Sequence, residues 1–390
     1  LNLFGKLFLV ASIAILSACS DNGNDDPTVD PSKEQILFNN GTEIGNGEQE
    51  FSIKESHTLA KGTYVLKGWV YIEDGATLTI EPGTIIKGDK NTKAAIIAKR
   101  GGKLIAKGTA SAPIVFTSNQ AAGSRKPGDW GGIILCGRAK NNIDIVDGMQ
   151  IEGGVNAKHG GNDDNDNSGV VSYVRIEYAG FPFATDQEIN GLTMGSVGRG
   201  TQIDHVQVSY SNDDSFEWFG GTVNAKYLVA YHGWDDDFDT DNGYSGNLQF
   251  LLGVRNPQIA DQSLSNGFES DNNANGTTDE PYTKAVFSNV TLIGPIGQAT
   301  DFANTTQYIT GNGLNPNNGS RLGVFQAAIQ IRRNSRLNLF NSVATGYPVG
   351  LILDNQKGTT QKWAEDGTLK LQNNVFAGMN VLGADINKQS

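Results

Sequence analysis

Cysteine is close to absent from this sequence: its 390 residues hold only Cys19 and Cys136. Cys19 stands at the end of an apolar leader, which leaves Cys136 without an intrachain partner. Folding must then rest on burial and backbone pairing rather than on disulfides. Histidine is as scarce. His57, His159, His205 and His232 lie scattered, with no His-x-His or His-Glu-x-x-His spacing, which argues against a zinc site. Basic charge is short as well. Thirty Lys and Arg face 42 Asp and Glu, and the net charge of −12 argues against nucleic acid, whose binders carry basic faces. No Gly-x-Ser-x-Gly and no phosphate loop occurs. Long apolar runs are also missing, apart from Leu7 to Leu16, a stretch too short to span a membrane.

That stretch follows Lys6 and ends in Leu16-Ser17-Ala18-Cys19, a secretory leader with the form of a bacterial lipobox. The expectation is a signal peptide over 1–18, lipidation of Cys19 and anchoring in the outer membrane. Residues 19–50, rich in Asp, Asn, Gly and Pro, read as a flexible acidic tether. The acidic start "SDNGNDD" resembles the export signals of lipoproteins that face the cell surface.

What is abundant is glycine, with 49 residues, together with Asn, Asp, Ser and Thr; this composition favours turn-rich β structure over helices. From about Phe51 the chain is a string of short β segments. "GATLTIE" and "GGKLIAK" place Leu78 and Leu104 in matching settings. "SFEWFGG", "DFDTDNG" and "GFESDNN" align Phe216, Phe238 and Phe268, each followed by an acid: Glu217, Asp239, Glu269. "FSNVTLIG", "LFNSVATG" and "LQNNVFAG" align Asn289, Asn341 and Asn373. Recurrence at about 22 to 32 residues without helical periodicity signals a solenoid. A β-propeller blade needs about 40 to 45 residues and antiparallel hairpins. The spacing therefore predicts an all-β fold, one long parallel β-helix over 51–390. Like residues would stack at the strand separation of about 4.8 Å, the phenylalanines inside and the asparagines as a ladder at the bends.

The strings "YSNDDSFEWFGGTVNAK", "DDDFDTDNGYSGNLQF" and "SNGFESDN" resemble a family of uncharacterised bacterial β-helix lipoproteins. The resemblance covers nearly everything after the tether. It implies a right-handed parallel β-helix at the cell surface, often beside a TonB-dependent transporter, and it implies no reaction.

Strand alternation sends Glu217, Asp239 and Glu269 outward if the phenylalanines point inward, and Asp237 and Asp241 would share that outer face. Stacked carboxylates repel, so such a face is either a solvated acidic surface, a cation or polar-ligand site, or a catalytic cluster. Trp218, Trp234 and Tyr244 flank the acids and suit sugar rings. If the chain is an enzyme, Asp213, Asp214, Glu217 and His232 mimic part of the pattern of β-helical glycosidases. "IQIRRN" departs from that pattern, and no basic residue is tied to the acids by spacing. Calcium has two candidate loops. Asp164, Asp166 and Ser168 in "DNDNSG", and Asp271, Asn273 and Asn275 in "DNNANG", alternate oxygen ligands before a glycine as a hard cation requires. The composite expectation is a lipid-anchored surface protein whose lateral face (Glu217, Trp218, Trp234, Asp237, Asp239, Asp241, Tyr244, Glu269) binds a glycan, another nutrient or a transporter partner. A polysaccharide-degrading enzyme and a structural component of a transporter complex are the alternatives.

Overall fold

The computed structural model describes residues 38–39, 42–143, 147–184, 187–314 and 321–386. The leader and Cys19 lie outside the described residues. Among those described, no helix is long and apolar enough to cross a membrane.

The chain winds as a right-handed parallel β-helix. Eleven strands form one unbroken sheet along its length, among them Trp69–Ile72, Gly132–Cys136, Leu192–Gly195, Phe216–Phe219, Phe238–Asp241, Phe268–Ser270, Ala327–Ile331 and Val349–Asp354. The rest of each coil is a second, folded sheet. Its longest strands, Gly169–Glu177, Gln202–Ser209, Ala225–Tyr231, Asn247–Val254 and Val286–Ile293, pair in parallel. Each bends at a residue of positive φ, so that one strand supplies two walls of the coil. The bend falls at Tyr173, His205, Tyr227, Phe250 and Asn289, and on later coils at Asn341 and Asn373, with φ between 50° and 62°. Asparagine tolerates that left-handed conformation better than other L-residues with side chains. The recurrent asparagines serve the bend first. Their ladder is limited to Asn373 Nδ2 donating to Asn341 Oδ1 at 3.3 Å.

Inside, Phe216, Phe238 and Phe268 stand in register, fully buried, with ring centroids 5.6 and 5.2 Å apart. Burying each such side chain contributes about 1.5–3 kcal/mol, which lets so glycine-rich a chain close a core without disulfides. Cys136 is buried, and burial pushes its thiol up to about 12. The first coil begins earlier than expected. Glu43–Ile44 pairs in parallel with Thr63–Leu66 and Ile44 is fully buried, so the end of the 19–50 segment is packed into the fold.

Candidate functional site

With the phenylalanines inside, alternation turns the next residue of each strand outward. Thr193, Glu217, Asp239, Glu269 and Gln330 are opposed in succession on five adjacent coils. Asp241 lies opposite Phe219 one pleat further on. Just before these strands runs a second set of acids. The amide of Asp236 donates to Asp214 Oδ1 at 2.8 Å, the amide of Asn266 to Asp236 Oδ1, and the amide of Ala327 to Asn266 Oδ1 at 3.0 Å. Asp214 and Asp236 thus each spend one oxygen on the backbone of the coil above.

The outcome is a continuous acidic column. Carboxylate oxygens of Asp213, Asp214 and Asp235 all lie within 4.8 Å of one another, as do those of Asp214, Glu217 and Asp239. Asp214 belongs to both groups. Glu152 comes from a hairpin in which Met149–Gln150 pairs with Lys158–His159, and it adds its charge to Glu217. Burial, and then the neighbouring Asp235, holds the Asp213 carboxyl well above its usual range. Asp214, Glu217 and Asp239 are raised in the same way, with Asp236, Glu152 and Glu269 as their respective leading neighbours. Asp235 and Asp241 rise to about 7, through burial and then the charges of Asp261 and Asp271. Glu269 rises to about 8 through burial, against the opposing pull of Arg332.

That arginine was not legible beforehand. Arg332 donates to Glu269 Oε1 and, through Nε at 2.9 Å, to Asp271 Oδ1. Arg333 Nη1 reaches Asp271 Oδ2 at 2.7 Å. The acidic column therefore ends on a cationic pair, beside a cavity of about 280 Å³ bordered by Ser263, Gln326, Gln330 and Lys357.

Several expected positions need correction. Asp237 does not share the outer face. It precedes the first strand residue, Phe238, so strand alternation does not apply to it. It is fully buried, takes Arg255 Nη1 at 2.9 Å and is approached by the Tyr347 hydroxyl at 3.5 Å. Burial raises its carboxyl to about 6, with Arg255 opposing the rise. Trp218, Trp234 and Tyr244 offer no ring to a ligand, because all three are fully buried. Trp218 packs inside between Phe216 and Tyr244, at 6.1 and 5.4 Å, and the Tyr244 hydroxyl donates to the Val223 carbonyl at 2.7 Å. His232 stacks on Tyr231 at 3.8 Å, and burial lowers its pKa to about 4. It is a neutral ring on an aromatic corner rather than a member of the carboxylate groups.

The two candidate calcium loops are closed by their own hydrogen bonds. Asp164 faces Lys140 Nζ at 3.3 Å, and Asp166 meets Ser168 Oγ at 3.5 Å. Both oxygens of Asp271 are held by guanidinium groups. Asn273 Oδ1 accepts from the amides of Asn275 and Thr277. Carboxylate oxygens converge elsewhere, in the two groups around Asp214, although Asp214, Glu217 and Asp235 each accept one hydrogen bond, from Asp236 N, Asn190 Nδ2 and Ser263 Oγ respectively. Of the acids that meet there, Asp213, Asp214, Glu217 and Asp239 are candidates from the sequence and Asp235 is not, although its spacing of 22 residues from Asp213 repeats that of Phe216 and Phe238.

A solved catalytic domain of a GH87 alpha-1,3-glucanase in complex with tetrasaccharides is similar over 95% of this chain and 68% of that one, at 13% identity and a TM-score of 0.31. At that level no residue is equated across the pair. No curated protein matches the sequence. The profile of the pectate-lyase-like beta-helix domain matches residues 51–389, and the chain belongs to that family.

Proposed function

We propose that this protein is a carbohydrate-binding β-helix, lipid-anchored through Cys19 at the outer membrane, whose acidic lateral face holds a divalent cation against a polyhydroxylated ligand. The observation that carries this reading is the pair of carboxylate groups sharing Asp214, oxygens within 4.8 Å. Bringing so many acids together raises their pKa values unless a cation compensates. Around them, Asn190 Oδ1, Asp239 Oδ1 and Gln330 Oε1 are buried without a hydrogen-bond partner among the described residues. An all-oxygen set of this kind suits calcium better than zinc. Delivery of the bound ligand to a TonB-dependent transporter would be the physiological use.

The test is calorimetric titration of the full chain with calcium, followed by a glycan panel with and without the ion. Glu217→Gln and Asp239→Asn should each weaken calcium binding by about tenfold or more, as loss of a charged ligand implies. If wild type takes neither calcium nor any glycan, the reading is abandoned.

A second reading is hydrolysis. It is favoured by the raised pKa values of Asp213, Asp214 and Glu217 and by Asp214 lying with an oxygen within 4.8 Å of one on Asp213 and one on Glu217, since glycosidases work with paired carboxylates. Release of reducing ends by wild type, abolished in Asp214→Asn with the fold intact, would move the assignment from binding to catalysis.

A further inference from the structure

On the other sheet of the coil, away from the acidic column, the bends of four successive long strands carry Tyr173, His205, Tyr227 and Phe250. Their rings stack along the helix axis with centroids 4.2, 4.5 and 5.2 Å apart and interplanar angles of 8°, 28° and 8°. Tyr227 and Phe250 are 39% and 42% exposed, so the stack lies outside the core. Beside it runs a groove of about 560 Å³, within the range of small-ligand sites. Its floor is the outward row Arg175, Gln207, Val229, Leu252 and Thr291, opposed in register coil by coil. The loop Thr109–Pro113 borders one end, pinned by paired backbone bonds between Thr109 and Ala112.

These rings stand where the backbone disfavours them. Tyr173, His205, Tyr227 and Phe250 have φ of 51°, 50°, 57° and 62°, whereas the next three coils make the same bend with asparagine. Large side chains in the left-handed region are uncommon and strained. The bend alone is served by asparagine, so the rings call for another explanation. They give the groove an aromatic wall.

The charge pattern narrows the occupant. Asp204 is held by His205 Nδ1, Ser172 Oγ and Gln202 Nε2, each at 2.7 Å. Arg175 is paired with Glu177 at 2.5 Å, and Lys226 Nζ lies 5.5 Å from the centre of the Tyr227 ring. No acid is among the described residues that line the groove, and the two beside it, Asp204 and Glu177, are both paired. The net charge of −12 opposes acidic chains and a second copy of the protein alike. Polar positions at His205, Gln207 and Asn289 interrupt the apolar stripe that a lipid surface would need. An uncharged polymer of sugar rings meets all of these conditions. Its apolar faces would lie against ring edges and aliphatic floor, and its hydroxyls would reach the polar rim.

We infer that the Tyr173–His205–Tyr227–Phe250 groove is a second carbohydrate-binding surface, which seats a neutral linear polysaccharide along the helix axis. It does not depend on the reading of the acidic column. The test is affinity electrophoresis of the full chain in gels containing amylose, xylan or galactomannan, with retention on cellulose. It is run with a chelator so that cation-dependent binding at the acidic column is silent. Wild type should be retarded by at least one of these polymers. Tyr227→Asn with Phe250→Asn keeps a residue suited to each bend and removes two rings. Leu252→Arg leaves the stack intact and puts a charge in the floor. Each variant should lower the affinity by about tenfold or more, as lost ring and floor contacts imply. The proposal is overturned if no neutral polymer retards wild type, or if the folded variants bind as wild type does. Retardation only by anionic polymers, abolished by salt, would assign an acidic occupant instead. Loss of self-association in the variants, seen by sedimentation, would make the groove an interface between copies. Both outcomes overturn the proposal.

Discussion

Two columns run along the outside of this coil, and both are made by placing like residues one above another. At the aromatic bend the repeat brings Tyr173, His205, Tyr227 and Phe250 into contact, and each added ring gains a partner. On the eleven-stranded sheet the same repeat brings Glu217, Asp239 and Glu269 together, and each added carboxylate meets a like charge. A solenoid amplifies whatever its repeat contains. Ring stacks need nothing further, whereas stacked acids need protons, cations or guanidinium groups. The protein supplies guanidinium groups at one end of the column, where Arg332 and Arg333 pair with Glu269 and Asp271. The middle, around Asp214, takes up protons or a cation.

The comparison breaks most sharply one residue apart. Phe238→Asp puts an unpaired charge between Phe216 and Phe268 and should remove more than about 4 kcal/mol of stability. Asp239→Asn, the next residue, should be neutral or stabilising, because it relieves repulsion. Urea unfolding of the two variants checks this. Equal losses would show that the outward column is as structural as the inward one.

A slightly smaller loss is expected inside the turn. Arg255→Met leaves Asp237 buried without its partner, and breaking a buried pair in this way costs about 3 kcal/mol. Arg255→Met together with Asp237→Leu should recover most of that loss. Failure of the double variant to recover would mean that the pair organises the turn beyond its own charge balance.

The fold was legible because the repeats survive in the sequence: the 22-residue step from Phe216 to Phe238 fixes register, and alternation then separates inside from outside. The same rule places Trp218, two residues after Phe216, inside. Assigning it to a ligand let residue type override geometry. Asp237 was misplaced for the opposite reason, since alternation was carried across a turn into a residue that is not in the strand. Arg332 was invisible because 61 residues separate it from Asp271, an insertion that hides the period. The aromatic bend was half legible. Asn289, Asn341 and Asn373 were aligned, but the rings that precede them in the same column share no residue type with asparagine, only a backbone conformation.

The acidic column should also reveal itself through pH. Asp235 and Asp241 hold their protons to about pH 7 and Glu269 to about pH 8, while an unfolded carboxyl releases its proton near pH 4. The folded state therefore binds more protons across this window. Their contribution to stability is complete below about pH 4 and is lost as pH rises through 7 to 8. With chelator present, stability should fall by about 2 kcal/mol from pH 5 to pH 8, after allowance for solvent screening of half-buried groups. Calcium should reverse the fall at pH 8 and have little effect at pH 5. Glu217→Gln with Asp239→Asn should flatten the profile. A profile that rises with pH in chelator would show that these carboxyls are held ionised by groups of the protein itself.

The smallest expected effect sharpens the other side of the comparison. Tyr227→Asn removes a ring stacked on His205 and Phe250, a loss of about 0.5–1.5 kcal/mol in pair energy. It also replaces a residue strained at φ 57° with one suited to that conformation, and relief of left-handed strain is worth about 1–2 kcal/mol. The two effects oppose each other, so stability should change by less than about 1 kcal/mol. Tyr227→Ala keeps the strain and loses the ring, so it should be the more destabilising of the two, an order that a general preference for asparagine in helices or strands would not produce. If Tyr227→Asn instead costs more than about 2 kcal/mol in urea unfolding, the rings hold the bend together, and the aromatic column is as structural as the phenylalanines inside. A near-zero cost leaves the exposed rings free to be explained by what they touch outside the protein.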